Sequence, residues 1–200
     1  MSTADPTDYE YEVFVSYSHS RLIRPWVLGF FRPFLQDWLP QFLGGQPARV
    51  FVDEEEITPG RRWPQHVRDA LLASKCLVPV LSGDYFFKAW CSSEWTNFVE
   101  RENRLGLDTT SNALIVPIIH NDGKHFPPRA REYQPMDFTD CRSTSGNFEN
   151  HVNFPKFEES VERLAEAVAL AVRRAPAFDP TWPRLEVDPI RRTVPLMRIS

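Results

Sequence analysis

Short apolar runs alternate with longer amphipathic stretches along the whole chain. Tyr11–Tyr17 (YEVFVSY) is rich in β-branched and aromatic residues and stops at a polar Ser-His-Ser step, which predicts a buried strand feeding a loop. From Pro25 to Leu43, Val27, Phe30, Phe31, Phe34, Leu35, Trp38, Leu39 and Phe42 recur at helical spacing. Pro33 interrupts them and predicts a kink or two helical pieces. Arg49–Val52 (RVFV) is a second strand, and DEEEITPG after it is a charged loop closed by the Pro59–Gly60 turn. Trp63, Val67, Ala70, Leu71 and Ser74 give residues 62–74 one apolar helical face.

Cys76–Leu81 (CLVPVL) is a third strand, with Pro79 an objection to a central place because proline removes a ladder donor. A helix follows from Trp90 to Arg101. Ala113–Ile119 (ALIVPII) reads as a nearly unbroken fourth strand, and Gln134–Phe138 as a short fifth. Residues 139–152 are polar and predict an exposed excursion. Phe154, Phe157, Val161, Leu164, Val168 and Val172 form the cleanest amphipathic helix, ending at Arg173–Arg174, where basic side chains suit the helix dipole.

Strands that are apolar throughout, joined by helical connections, indicate an α/β domain with a parallel sheet covered on both faces. The expected architecture is a flavodoxin-like three-layer sandwich with a five-stranded parallel sheet in the order 2-1-3-4-5. Residues 1–8 read as a flexible leader and 9–174 as the domain. Residues 175–200 read as a proline- and arginine-containing tail that wraps over the domain or waits for a partner.

Composition narrows the function classes. The 200 residues carry 23 Lys and Arg against 27 Asp and Glu, a net charge of −4, so the chain lacks the concentrated positive footprint of a nucleic-acid binder. Cys76, Cys91 and Cys141 are odd in number and contain no C-x-x-C pair, which disfavours a disulfide framework or a zinc site. The first residues are acidic where a secretion signal is basic and then apolar, and no run approaches the ~20 apolar residues that span a bilayer. The expectation is a cytoplasmic domain with no membrane contact.

In an open parallel sheet, ligands bind at the carboxyl ends of the strands. Those ends deliver Ser16, Tyr17 and the Ser-His-Ser loop; Asp53 with its acidic loop; Ser82 with the GDYFF loop; and Trp90 to Glu94 at the start of the next helix. A phosphate-gripping GxxxxGK[ST] loop, a GxGxxG turn and a G-x-S-x-G elbow are all absent from the sequence. The five histidines lack metal-ligand spacing, so no metal and no resident cofactor is expected.

FVSYS after the first strand, FVDEEEITPG after the second, LVPVLSGDY after the third and WCSSEW opening the next helix together resemble a TIR (Toll/interleukin-1 receptor) domain, most like the bacterial NAD-cleaving members. The resemblance covers roughly residues 9 to 174, and WCSSE is its most specific fragment. It implies that Glu94 is the catalytic carboxylate of an NAD glycohydrolase or cyclase, that NAD is substrate rather than cofactor, and that the context is antiviral or stress defence. Ser16, Tyr17, Asp53, Ser82 and Trp90 are the expected substrate contacts.

It implies partners as well: self-association through TIR–TIR contacts and a separate sensor or downstream effector. Nicotinamide is already a good leaving group, so such an enzyme needs negative charge near a developing oxocarbenium ion and no general acid. Trp90, and Tyr85 or Phe86, are then candidates to stack on a base. The rival reading is a non-enzymatic TIR adaptor or effector. The two differ in one observable, whether Glu94 faces the strand ends.

Overall fold

The computed structural model describes residues 7–54, 65–108, 112–121, 126–143 and 148–184. The Pro59–Gly60 turn, the first residues of the expected helix over 62–74, most of the leader and the end of the tail lie outside them. One parallel sheet is built from β1 (Tyr11–Ser16), β2 (Val50–Val52), β3 (Ser74–Leu81), β4 (Ile118–Ile119) and β5 (Met136–Asp137). Their order is β2-β1-β3-β4-β5, as the alternation of elements predicts. Register is set by pairs such as Val13 with Val50 and Cys76, Val80 with Ile118, and Ile118 with Met136.

Side chains alternate across β1. Val13 and Val15 enter an apolar cluster with α2 (Arg32–Phe42) and α6 (Phe154–Arg174), while Phe14 enters a second cluster with α3 (Gln65–Leu72) and α4 (Ala89–Leu105). By that period-2 rule Ser16 falls on the Phe14 side, toward α4.

Proline shapes three local departures from the sequence expectations. Ahead of α2, α1 is only one turn (Arg24–Trp26), and a π-type turn over Val27–Phe31 separates the two, with Arg32 N–H donating to Val27 O. Pro33 sits in the first turn of α2, so the two expected helical pieces are joined by a widened turn that accommodates its missing donor. Pro79 lies inside the central strand after all. It pairs with Ser16 where the β1 ladder ends, and since Leu77 N–H two residues earlier donates to Leu114 O, the absent N–H faces the β4 side, where that ladder is interrupted.

Pro117 has the opposite effect. The expected strand over Ala113–Ile119 shrinks to Ile118–Ile119, and ahead of it the chain touches β3 only through an isolated bridge between Leu77 and Ile115. The buried carboxylate of Glu102 on α4 replaces the missing ladder there, accepting from Leu114 N–H at 2.7 Å, Ile115 N–H at 3.2 Å and the Tyr133 hydroxyl. Tyr133 follows α5 (Pro128–Glu132).

Most described residues of 139–152 are exposed, as expected, but the segment is pinned at two points. Cys141 and Phe148 are both buried in the first cluster, and Trp26 Nε1–H donates to Cys141 O at 2.9 Å. Phe148 packs edge-on against Phe30, Phe154 and Phe157, so apolar anchors spaced among polar residues hold the segment down.

Beyond α6 the chain crosses the amino end of the sheet. Phe178 meets Tyr9 edge-on at 5.3 Å, Arg104 donates to Thr181 O at 3.0 Å, and buried Trp182 covers the Arg101 guanidinium at 5.7 Å. Arg101 donates to Ser74 O at 3.0 Å and Leu71 O at 2.7 Å, and lies over the Phe98 ring at 4.3 Å. Burial lowers its pKa to about 10, so it remains a cation at neutral pH. No helix among the described residues is long and apolar enough to cross a membrane.

Candidate functional site

α4 begins after the loop that follows β3. The loop contains a single 3-10 turn, Tyr85–Phe87, and Gly106 in the left-handed region closes the helix at its far end. Trp90 and Glu94 are one helical turn apart. Trp90 is half-buried against the second cluster, whereas Glu94 is buried at 5% exposure.

The Glu94 carboxylate points at the end of β1, where Ser16 Oγ donates to its Oε2. On its other side Ser16 Oγ lies 2.6 Å from the Tyr85 hydroxyl. With the Ser16 proton directed at Glu94, Tyr85 is the donor of that second bond. Ser16 and Tyr85 are at most 1% exposed, so the three groups form a chain shut off from water.

Burial pushes the Glu94 carboxyl up to about 8, the Ser16 bond opposes that rise, and the negative charge of Asp53 adds to it. Burial also raises the Tyr85 phenol and the neighbouring Cys91 thiol, so both are neutral at physiological pH. Cys91 Sγ donates to Tyr17 O at 3.4 Å.

Tyr17 and Asp53 meet at the ends of β1 and β2, where the Tyr17 hydroxyl donates to Asp53 O at 2.9 Å. Burial takes the Tyr17 phenol to about 12. Asp53 is 4% exposed, so it is no part of a solvated acidic loop. Its Oδ2 lies 3.9 Å from His19 Nε2, and the His19 ring stacks on Tyr17 at 4.3 Å. His19 adopts φ 51°, a left-handed conformation unusual for a side-chain-bearing residue. Arg24 Nη2 donates to Glu54 O at 2.6 Å, which ties the start of the acidic loop to α1.

Ser82 stands one strand away from Ser16. Its hydroxyl donates to Asp84 Oδ1 at 2.6 Å and lies 3.4 Å from Ser18 Oγ, and Gly83 N–H donates to Asn121 Oδ1 at 2.9 Å. Next to it, His120 is 4% exposed and neither ring nitrogen has a hydrogen-bond partner among the described residues. Its ring meets Trp26 at 4.8 Å, and burial, with the Arg142 charge second, lowers its pKa to about 4.

The structure therefore brings Ser16 into direct contact with Glu94 and Tyr17 into contact with Asp53, and places Ser82 and Trp90 at the margin of the same edge. Sequence reasoning placed His19 only within the Ser-His-Ser loop and weighed His120 only as a metal ligand. It also took Tyr85 as a stacking surface, whereas the ring is fully buried and its hydroxyl meets Ser16. The usable signal for Tyr85 was a lone phenol among Phe86 and Phe87 directly after an apolar strand.

A doubly covered parallel sheet with polar groups converging at its carboxyl edge is the layout of a ligand-binding α/β domain. The model of the TIR domain family matches residues 13–152, and the chain belongs to that family. No curated protein matches the chain. Among solved structures it is similar to the TIR domain of the Toll-related receptor TRR-2 from Hydra magnipapillata, with 18% identity over 76% of this chain and 98% of that one and a TM-score of 0.42. It is also similar to the TIR domains of the activated Roq1 resistosome recognising the pathogen effector XopQ, with 19% identity over 78% and 84% of the two chains and a TM-score of 0.40.

Proposed function

We propose that this TIR domain cleaves NAD at the nicotinamide–ribose bond, with Glu94 as the catalytic carboxylate. The observation that supports it is the direction of that side chain. Glu94 lies at the carboxyl edge of the sheet against Ser16, beside the Asp53 charge, instead of in solvent on the outer face of α4. A domain that only docks onto other TIR domains has no need of a carboxyl buried there, since burial is costly when, as here among the described residues, no cation pairs with it.

The chemistry uses that cost. In the free protein Glu94 is held mainly as the neutral acid at pH 7. A pyridinium ring supplies the missing positive charge and favours the carboxylate. As the C1′–N bond breaks, its electron pair passes to the ring nitrogen and leaves neutral nicotinamide, while the positive charge moves to the ribose. Glu94 then faces an oxocarbenium ion at short range in a site of low polarity. Water adds its oxygen to C1′ and releases a proton, giving ADP-ribose. Capture by an adenine nitrogen of the same molecule gives a cyclic isomer.

Trp90 and Ser82 border the substrate, with Tyr17 and Asp53 framing the far side. Self-association or a separate sensor opens the site, in a defence response that consumes NAD. The test is incubation of concentrated protein with NAD, with and without Glu94→Ala, followed by separation of products. Nicotinamide release that depends on Glu94 is expected. Equal release from both proteins removes Glu94 from its role, and no release even under crowding favours the adaptor reading.

A further inference from the structure

We propose that Tyr85 is a positioning residue for Glu94, acting through Ser16: its hydroxyl orients the Ser16 hydroxyl so that the serine proton is delivered to the Glu94 carboxylate. The proposal rests on the reading of Glu94 as the catalytic group and goes beyond it by reassigning two residues. Ser16 becomes part of the carboxylate's support instead of a substrate contact. Tyr85 becomes the anchor of that support instead of a stacking surface.

A serine side chain carries one proton and rotates freely unless a second bond fixes it. Here one bond runs to Glu94 Oε2 and the other, at 2.6 Å, to the Tyr85 hydroxyl. Tyr85 cannot turn away. It is fully buried, its 3-10 turn is held by Tyr85 N–H donating to Ser82 O at 3.0 Å and Lys88 N–H to Tyr85 O at 3.2 Å, and Phe86 packs edge-on against it at 5.0 Å. Three elements thus converge on one carboxyl: the end of β1, the turn after β3 and the first turns of α4.

The surroundings make this bond decisive. Among the described residues, the titratable or charged groups facing Glu94 are Tyr85 on the turn, Cys91 on its own helix and Asp53 after β2. Phenol and thiol are neutral at physiological pH, and Asp53 disfavours a second negative charge. Among the described residues the Ser16 hydroxyl is accordingly the group that favours the carboxylate. A chain of hydrogen bonds polarises its members, so a phenol donating to Ser16 strengthens the Ser16 bond to Glu94.

Tyr85→Phe removes one oxygen and keeps the ring. With NAD as substrate, kcat/KM is measured from about pH 6 to pH 10.5 for wild type, Tyr85→Phe and Ser16→Ala, together with thermal midpoints. The expected result for Tyr85→Phe is an acid limb moved up by about one pH unit, a roughly tenfold loss at pH 7 and a retained alkaline plateau. Ser16→Ala moves the limb at least as far, and the double variant no further than Ser16→Ala alone.

A Tyr85→Phe profile that overlays wild type, or a uniform loss at every pH with no displaced limb, overturns the proposal whatever the thermal midpoint does. Carbon-13 NMR titration of the Glu94 carboxyl in the same proteins reads the same displacement without turnover. Absence of turnover in wild type therefore defeats the enzymatic reading while the titration still decides the role of Tyr85.

Discussion

Replacing Glu94 by Gln should make the protein more stable at alkaline pH, with a gap that widens as pH rises. In the fold Glu94 is only 5% exposed, and burial lifts its carboxyl pKa from 4.5 to about 8. The sign follows from proton counting. Between those values the folded chain holds a proton that the unfolded chain has released, so stability falls with rising pH.

At about 1.4 kcal/mol per pH unit, the loss between pH 5.5 and pH 9 comes to about 3 kcal/mol, and it flattens above the folded-state value. Gln keeps an acceptor for Ser16 and carries no charge, so its curve lacks this decline. For a chain of this size the difference corresponds to roughly 6–12 °C in thermal midpoint. The assay is thermal unfolding of both proteins at pH 5.5, 7 and 9. Parallel curves refute the reasoning, because they mean that Glu94 ionises in the fold as easily as in the unfolded chain.

Four further outcomes are expected. His120 is buried with both ring nitrogens unpaired among the described residues and a pKa near 4, so its stability contribution is complete above pH 6.5 and is lost as pH falls toward 4; His120→Phe should flatten that acid limb in urea titrations and leave stability at pH 7 equal or higher. Arg101→Met should cost about 2–4 kcal/mol in chemical denaturation, since it strips the carbonyls of Leu71 and Ser74 of a buried donor. Trp182→Ala should cost about 3 kcal/mol and speed amide exchange around Tyr9, whereas an unchanged midpoint would show that the segment beyond α6 only rests on the domain. Leu35→Ala, in the fully buried face of α2, should cost about 2–5 kcal/mol by the same measurement.

The layered α/β fold was readable from pattern, because period-2 and period-3.6 apolar spacing are local properties of the chain, and the expected order 2-1-3-4-5 is the one the sheet adopts. Prolines were harder to interpret. Pro33, Pro79 and Pro117 each remove one donor, yet they widen a helical turn, leave a central strand intact and dissolve most of a strand, respectively. The difference lies in which neighbour faces the missing N–H, and that is a tertiary fact. The described residues of 139–152 show the same limit, since their polar composition accounts for the exposure of most of them and gives no sign that Cys141 and Phe148 are buried.

At the candidate site, residue types and strand ends marked Ser16, Tyr17, Asp53, Ser82, Trp90 and Glu94, each carried by its own local motif. Sequence by itself determined which elements form and which polar groups stand at their carboxyl ends. Only the tertiary structure decided that Ser16 and Glu94, 78 residues apart, share a hydrogen bond, that Tyr85 backs it, and that Asp53 is buried beside them. A hydrogen bond and a desolvated charge depend on positions to within a fraction of an ångström, and those positions are set by how α4 packs on the sheet, which no local pattern encodes.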